Sequence, residues 1–244
     1  MNYLITGGTD GIGKAIALEV LRHSKSAEDR VIVNYGHNET KAQAFLNCLS
    51  NEARSKVTLV KADMSNESGL DSFVETVLQT VPVIDHIVSN IGVGEYAKFD
   101  DYTMEMWNRI ITTNLTIPTF LIQKLKPHMR NGGSILFVGS YAGIAPYSSS
   151  LVYSISKAGV VYLAKALVKE FDAQQIRVNA IAPGFIETAW QSNRSAESYA
   201  RINNKIALHR FGTPEEVADM AYHVLTNTYM NGTVVEIHGG YNYF

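Results

Sequence analysis

A tyrosine and a lysine four residues apart are the first candidates for chemistry in this sequence. Tyr153 and Lys157 stand in the segment LVYSISKAG, and residues i and i+4 share one face of a helix. A phenol has a pKa of about 10, and lowering it to about 7 requires about 4 kcal/mol. An ammonium group one helical turn away acts in the required direction. The pair indicates proton transfer, although the same spacing also recurs on helices by chance.

A serine and an asparagine extend this candidate site. Ser140 lies thirteen residues before Tyr153, at the carboxyl end of the apolar segment SILFVG. Open α/β sheets bind ligands at the carboxyl ends of their strands, so we expect its hydroxyl to hold a carbonyl oxygen while Tyr153 moves the proton. Asn114 lies within a long helical pattern, where asparagine is a poor helix former. Two interpretations stay open for it: a structural amide that interrupts the helix, or an anchor for a water linking Lys157 to solvent.

The glycine-rich turn TGGTDGIG, residues 6–13, follows a short apolar run. A strand that leads through glycines into a helix directs backbone N–H groups at an anion, which the helix dipole also favours. A P-loop spacing is nearly matched, but Ala15 stands where the Mg²⁺-binding hydroxyl is needed. The strict GxGxxG spacing does not occur in register. A third spacing preserves the same physics and consists of Gly7, Gly11 and Gly13.

The elements that must position these residues alternate along the chain. The predicted strands are 2–6, 30–34, 57–61, 84–90, 134–139, 176–183 and 233–238. The predicted helices are 11–23, 38–52, 66–79, 103–129, 152–172 and 214–227. Near-continuous apolar strands are typical of a sheet that is covered on both faces. The alternation predicts an α/β fold, a doubly wound parallel sheet with helices on both faces, in a single domain spanning residues 1–244.

The composition excludes several classes of protein. The chain has 244 residues, 46% of them apolar and 18% charged, which favours a folded globular protein. Its net charge of -2 argues against binding nucleic acid through the phosphates. The apolar runs are short and the first strand begins at Asn2, so we expect no membrane span, no signal peptide and a cytoplasmic location. We predict that the single cysteine, Cys48, is buried, and no His/Cys cluster has metal-ligand spacing.

Together these motifs resemble the classical short-chain dehydrogenase/reductase family over essentially the whole chain. TGGTDGIG is similar to the family's TGxxxGxG cofactor turn, and SNIG at 89–92 stands where the family usually has NNAG, with Ser89 and Ile91 departing. Ser140, Tyr153, Lys157 and Asn114 match the family's catalytic positions. The resemblance implies cofactor binding by Tyr153 and Lys157 together with Gly7, Thr9, Asp10, Gly11, Ile12, Gly13, Tyr35, His37, Asn38, Asp63, Met64, Asn90, Gly92, Pro183, Gly184, Ile186 and Thr188.

The resemblance also implies a fold, an assembly and a reaction. The family has a Rossmann-type sheet of about seven strands and usually forms homotetramers, so we expect a homotetramer or a homodimer. Tyr153 would be the general acid in reduction and the base in oxidation. Lys157 would lower the pKa of Tyr153 and bind the ribose, Ser140 would orient the substrate oxygen, and Asn114 would anchor a water for proton relay. The most similar branch is the 3-oxoacyl-acyl-carrier-protein reductase group.

The choice between NADP and NAD depends on the end of the second strand. NAD users typically carry an acid there for the ribose 2′-hydroxyl, whereas this chain has Tyr35, followed by His37 and Asn38. The missing acid favours NADP slightly. Asp10 opposes NADP if it faces the 2′-phosphate, but it is also placed to cap the helix that begins at Gly11 or to pair with Lys14. NAD therefore stays open.

The substrate is the least determined part of the prediction. We expect a small carbonyl or hydroxy compound, with a 3-oxoacyl thioester as the first candidate and a free ketone, steroid or other secondary alcohol as the alternative. The expected substrate contacts are Ser140, Tyr147, Tyr153, Phe185 and Trp190, and residues 186–206 are expected to form a lid. From another class, a catalytically idle dinucleotide-binding sensor would have lost Tyr153 or Lys157, and this chain has both.

Overall fold

A single parallel β-sheet forms the centre of the protein, in a computed structural model that describes residues 1–146, 150–241 and 243. Its strands are β1 (Asn2–Ile5), β2 (Arg30–Tyr35), β3 (Val57–Lys61), β4 (Ile84–Ser89), β5 (Met129–Val138), β6 (Arg177–Pro183) and β7 (Val234–Ile237). Their order across the sheet is β3-β2-β1-β4-β5-β6-β7. The order reverses beside β1, where sheets of this kind bind ligands outside the carboxyl ends of the strands. The predicted fold class is confirmed.

The helices cover both faces of this sheet. They are α1 (Gly11–His23), α2 (Glu39–Asn47), α3 (Asn51–Ser55), α4 (Glu67–Thr80), α5 (Met104–Ile111), α6 (Ile117–Leu125), α7 (Leu151–Ala166), α8 (Ala196–Asn203) and α9 (Pro214–Thr226). Helices α4, α6 and α7 pack on one face with Leu4, whereas α1 and α9 pack on the other with Tyr3 and Ile5. Successive strand residues point to opposite faces, so apolar residues at every position of a strand are buried. Within the described residues, no helix has the length and apolar character needed to cross a membrane.

Several predicted boundaries differ from the structure, and the helix predicted over 152–172 ends at Ala166 in α7, followed by a 3₁₀ segment at Lys169–Gln174. Strand β5 begins at Met129 rather than at 134. Residues 130–132 of this strand are exposed, so they show no apolar pattern from which the strand could be predicted. The single helix predicted over 38–52 is divided into α2 and α3, and Ser50 caps the second by accepting a hydrogen bond from the Ala53 N–H at 3.2 Å. Cys48 was predicted to be buried, and this is wrong: it follows the end of α2 and is exposed.

The long helix predicted over 103–129 is interrupted in its middle. Between α5 and α6 the backbone forms a π-helical turn at Thr112–Thr116. Pro118 lies four residues after Asn114 and has no N–H, so the Asn114 carbonyl cannot accept the usual α-helical hydrogen bond from residue 118. Single π-turns inside helices are frequent at functional sites. Pro118 thus removes the α-helical hydrogen-bond donor of the Asn114 carbonyl, beside the candidate site.

The segment predicted to lack a regular period, 184–212, is folded against the rest of the domain. It contains a 3₁₀ turn at Ala189–Gln191 and helix α8, and it returns to the sheet through a bridge between Ile186 and Gly212. A separate cluster of buried residues forms beneath it, consisting of Tyr141, Ile202, Ile206, Phe211 and Tyr241. These contacts give residues 186–206 a defined position, and their movement as a lid stays a prediction.

Candidate active site

The glycine-rich turn connects β1 to α1 at the carboxyl edge of the sheet. Gly7 and Gly11 have φ angles of 59° and 50°, a region that favours glycine. A Cβ at Gly13 would lie 2.3 Å from the Gly7 carbonyl oxygen, so this position requires glycine as well. The Asn90 amide donates to the Thr6 and Gly7 carbonyl oxygens at 3.1 and 3.0 Å. These hydrogen bonds fix the turn. The first N–H groups of α1 have no carbonyl partner within the helix.

Asp10 does not make either of the two contacts expected from the sequence. It occupies the N-cap position of α1, but its side chain accepts no capping hydrogen bond. Its carboxylate forms an ion pair with the Lys41 ammonium on α2 instead of with Lys14. Sequence spacing favoured Lys14 because it is near along the chain, whereas the fold brings α2 across the mouth of the turn. The predicted roles of Asp10 as a cap or as a partner of Lys14 are therefore wrong.

The end of β2 lies beside this ion pair. Tyr35 ends the strand, and the Asn38 side-chain Oδ1 atom caps α2 by accepting from the Lys41 N–H at 2.9 Å. The His37 Nε2 atom lies 3.4 Å from a carboxylate oxygen of Asp63, which follows β3. Met64, by contrast, is 1% exposed and lies within the hydrophobic core. The predicted residues at this end thus form a small group with the basic side chains His37 and Lys41.

Tyr153 and Lys157 lie on α7 beside the carboxyl end of β5. The Lys157 side chain is 4% exposed and donates a hydrogen bond to the Val138 carbonyl oxygen at 2.8 Å. Its Nζ atom lies 5.8 Å from the centroid of the Tyr153 ring. Burial lowers the pKa of Lys157 to about 8. The structure therefore places a basic group that titrates near neutrality against the phenol.

Ser140 completes this group of side chains. It follows β5, and its hydroxyl accepts a hydrogen bond from the Ala142 N–H at 3.2 Å. Burial raises the pKa of the Tyr153 phenol, and a hydrogen bond with the Ser140 side chain opposes that rise. The Ser140 side chain thus lies on the same side of the site as the Tyr153 phenol and affects its ionisation. This is the arrangement expected from the spacing of the two residues in the sequence.

Asn114 is buried, and its side-chain amide is fully engaged. Its oxygen accepts from the Val93 N–H at 2.7 Å, while its nitrogen donates to the Val93 carbonyl at 2.8 Å and to the Ser156 hydroxyl at 2.9 Å. The side chain therefore ties the loop after β4 to α7. A water at this position would have to bind the Asn114 backbone carbonyl, which Pro118 leaves without its helical donor.

Three residues that sequence reasoning missed lie in this network: Val93, Gly94 and Ser156. A Cβ at Gly94 would lie 2.7 Å from the Trp190 ring and 3.4 Å from the Tyr153 ring, so the glycine leaves room for the indole. The segment IGVG, with a second glycine two residues after Gly92, carried a signal for this close approach. Val93 acts through its backbone, which leaves no signature in the sequence. Ser156 looked like an ordinary helix residue in YSISK.

The remaining predicted residues follow β6. Pro183 ends the strand, and a Cβ at Gly184 would lie 2.7 Å from His238. Thr188 approaches Gly11, and a pocket of about 440 Å³ opens between the first turn of α1 and this segment. Trp190 packs against the Tyr153 ring with the ring centroids 5.7 Å apart.

One predicted substrate contact, Phe185, does not join this group. Phe185 packs with Phe211 and Tyr241 at centroid distances of 5.4 and 5.3 Å, within the cluster beneath the 184–212 segment. Tyr147 lies outside the described residues. Of the predicted substrate contacts, Ser140, Tyr153 and Trp190 are therefore the ones that the structure brings together.

Comparison with known proteins shows what this chain is similar to. A family model described as enoyl-(acyl carrier protein) reductase matches residues 7–242. The 3-oxoacyl-(acyl-carrier-protein) reductase FabG of Aquifex aeolicus is 32% identical, over 97% of this chain and 95% of that protein. Glucose 1-dehydrogenase 2 of Bacillus subtilis is 33% identical, over 97% and 93%. A short chain dehydrogenase from Burkholderia cenocepacia, solved in complex with NADP, has a TM-score of 0.89 at 24% identity, over 98% and 96% of the two chains.

Proposed function

The chain belongs to the short-chain dehydrogenase/reductase family of oxidoreductases, and we propose that it moves a hydride between NADP and a carbonyl or secondary alcohol carbon. The observation that carries this proposal is the buried Lys157 ammonium against the Tyr153 ring, with the Ser140 side chain close enough to the Tyr153 phenol to lower its pKa. A proton donor and a second hydroxyl on one oxygen are what carbonyl reduction requires of the protein.

In this proposal, each side chain of the group has a separate task. Tyr153 donates its proton to the carbonyl oxygen in reduction and removes it from the alcohol in oxidation. Ser140 holds the same oxygen in place, so that the carbonyl carbon faces the nicotinamide. Lys157 places a positive charge beside the phenol and faces the ribose hydroxyls. The Asn114 carbonyl, freed by Pro118, holds the water through which the proton lost by Tyr153 is replaced.

The residues of the turn fit a dinucleotide cofactor. A pyrophosphate would be held by the N–H groups of Gly11, Ile12 and Gly13, because Gly7 and Gly13 keep side chains out of the cradle. Thr9 and Thr188 flank the same cradle. Asn90 supports it from beneath through its two hydrogen bonds to the turn. When bound, a nicotinamide supplies or accepts the hydride, chemistry that none of the twenty side chains provides.

NADP fits the adenosine end of the crevice better than NAD does. No carboxylate ends β2 to hold a ribose 2′-hydroxyl, and His37 and Lys41 are the basic groups beside that position. Lys41 also neutralises Asp10, which removes much of the repulsion that a lone carboxylate would exert on a 2′-phosphate. A solved neighbour in complex with NADP supports the same choice.

A 3-oxoacyl thioester is the substrate class that we propose first. Relatives described as 3-oxoacyl-acyl-carrier-protein reductases match nearly the whole chain at 32% identity. One observation favours a free ketone as the second candidate. The basic side chains that might meet an acidic carrier protein are engaged within the chain: Lys124 with Asp71, and Arg130 with Asp85. Lys126 likewise donates to the Glu170 carbonyl oxygen.

Exposed apolar side chains support the proposed homotetramer or homodimer. Met104 on α5 is 73% exposed, and Tyr162 on α7 is also 73% exposed. Large exposed apolar side chains on the helices of a folded domain are often covered at interfaces between subunits. Light scattering on the purified protein would give a mass two or four times that of the chain.

The experiment that tests the proposed function is a turnover assay with defined compounds. The protein is mixed with NADPH or NADH and with the coenzyme A thioester of 3-oxobutanoate, the same acyl group on a carrier protein, or a cyclic ketone. We expect loss of absorbance at 340 nm with NADPH and the coenzyme A thioester. Turnover of the ketone alone would favour the second candidate. The absence of both turnover and cofactor binding would overturn the proposal.

A further inference from the structure

A fully buried serine lies between Asn114 and Tyr153. The Ser156 side chain is 0% exposed. Its hydroxyl accepts a hydrogen bond from the Asn114 amide nitrogen at 2.9 Å and donates one to the Tyr153 carbonyl oxygen at 2.7 Å. Both capacities of one hydroxyl are therefore used between two residues of the proposed site, which lie on different elements of the fold.

A neighbouring serine shows which of these bonds is ordinary. Serine hydroxyls inside helices commonly donate to a carbonyl oxygen three or four residues earlier. Ser154 does this, donating to the Ser150 carbonyl oxygen at 3.0 Å. Ser156 makes the same kind of bond to Tyr153, but it also accepts from Asn114, across 42 positions of the chain. The second bond cannot be explained by the needs of helix α7 alone.

The bond joins three segments that meet at the phenol. Asn114 lies in the π-helical turn, and its amide also makes two hydrogen bonds to the Val93 backbone. The loop that contains Val93 includes Gly92, where a Cβ would lie 3.3 Å from the Lys157 Nζ atom. Ser156 is the link from this loop and turn to the backbone of Tyr153.

The Tyr153 carbonyl is a sensitive point for such a link. In helix α7, that carbonyl is also the acceptor for the N–H of Lys157, four residues later. One oxygen atom thus connects the backbones of Tyr153 and Lys157 with the Ser156 hydroxyl. A shift in this bond changes the position of the first turn of α7, and with it the distance of the phenol from Ser140.

We propose that Ser156 is a positioning residue, which transmits the placement of Asn114 to the Tyr153 backbone and so holds the phenol in place beside Ser140 and Lys157. It touches neither substrate nor cofactor in this proposal and acts through the Tyr153 backbone. Its effect on turnover rests on the proposed function, but its effect on the phenol does not.

The kinetic test compares Ser156→Ala with the matched control Ser154→Ala on the same helix. We expect Ser156→Ala to lower kcat about tenfold, the size of one well-placed hydrogen bond, with the KM for the substrate changed less than about twofold. In the oxidation direction, the rising limb of its pH–kcat profile should move to higher pH, because the phenol is held less closely by its partners. Ser154→Ala should match the wild type in all three measurements.

A second variant tests whether Asn114 acts through Ser156. Asn114→Ala removes the amide that donates to Ser156, together with its two hydrogen bonds to the Val93 backbone. In that background, adding Ser156→Ala should lower kcat less than twofold further, because the link is already broken. Independent, multiplying effects of the two changes would contradict the proposal.

An NMR measurement separates this proposal from the proposed function. With ¹³Cζ-labelled tyrosine, the Tyr153 resonance is identified by its loss in Tyr153→Phe, and no turnover is needed. Ser156→Ala should shift this resonance, whereas Ser154→Ala should leave it in place. If the resonance is unchanged in Ser156→Ala, or if kcat falls only in proportion to the fraction of protein that binds NADPH, Ser156 has a structural role alone. A wild-type protein that turns over no carbonyl would defeat the proposed function and leave the NMR result to decide on Ser156.

Discussion

The Lys157 ammonium faces the Tyr153 ring at 5.8 Å from its centroid while it donates to the Val138 carbonyl oxygen. Burial moves the two ionisations in opposite directions, since it lowers the pKa of Lys157 to about 8 and raises the pKa of Tyr153. At neutral pH the phenol accordingly keeps its proton and the amine keeps most of its charge. A protonated phenol is the form that a reductase needs as its general acid.

Replacing Tyr153 by phenylalanine removes the proton donor and little else. We expect Tyr153→Phe to lower kcat for carbonyl reduction by about 10²-fold to 10⁴-fold, the usual contribution of general acid catalysis. Its affinity for NADPH, measured by nucleotide fluorescence, should stay within about twofold of the wild type, because the ring itself is retained. Tyr162→Phe, on the exposed side of the same helix, is the control and should keep full activity. Near wild-type turnover in Tyr153→Phe would remove this residue from the chemistry.

The buried Lys157 should make stability depend on pH in one particular window. Its pKa is about 8 in the folded protein against 10.5 when exposed, so between these values the unfolded chain binds more protons. Stability contributed by this group therefore rises with pH across that window. From pH 7 to pH 9.5, the free energy of unfolding of the wild type should rise by about 2 kcal/mol relative to Lys157→Met. Urea denaturation of both proteins at the two pH values measures this difference. Equal changes in the free energy of unfolding of the two proteins would show that the amine is not desolvated.

Most of the fold could be predicted because its information is local. The apolar strands are continuous over four to six residues, and α1 begins and ends at the predicted positions, 11 and 23. The long helix over 103–129 could not be predicted correctly from period alone. Helical patterns precede and follow residues 112–116, whereas the missing N–H of Pro118 and the buried contacts of Asn114 decide the geometry between them.

The ion pair of Asp10 with Lys41 leads to a prediction about cofactor choice. Lys41→Gln should reduce the preference for NADPH over NADH about tenfold, because a charge-assisted bond to the 2′-phosphate is lost. Asp10→Asn should raise the affinity for NADPH, since the carboxylate no longer competes for Lys41. The affinities are measured by fluorescence titration at fixed ionic strength.

A similar ion pair on neighbouring elements provides the control for this prediction. Lys61 pairs with Glu39, and both are largely exposed. Lys61→Gln should change the affinities for NADPH and NADH equally. If Lys41→Gln gives the same result as Lys61→Gln, the 2′-phosphate does not contact Lys41, and His37 becomes the remaining basic candidate.

The chemical residues of the site were predictable, whereas their supports were not. Ser140, Tyr153 and Lys157 are recognised from residue type and spacing, because their side chains have the groups that the proposed chemistry needs. Asp10 was assigned a partner close in sequence, and the fold provided Lys41 from 31 positions away. Ser156 carries no distinctive pattern, because a serine inside a helix has many uses. Contacts between distant segments, which decide these roles, have no periodic signature.

Trp190 and Gly94 provide a final prediction, on how the site is closed. The indole lies against the Tyr153 ring, and a methyl group at position 94 would approach it to 2.7 Å. Gly94→Ala should displace the indole and raise the KM of the carbonyl substrate about tenfold. In a Trp190→Ala background the same change should have an effect of less than about twofold, because the clash is absent.

Tryptophan fluorescence provides an independent measurement, because Trp107 on α5 is the other tryptophan of the chain. Quenching by substrate should persist in Trp107→Phe and disappear in Trp190→Phe, and the reverse pattern would place the indole outside the substrate site.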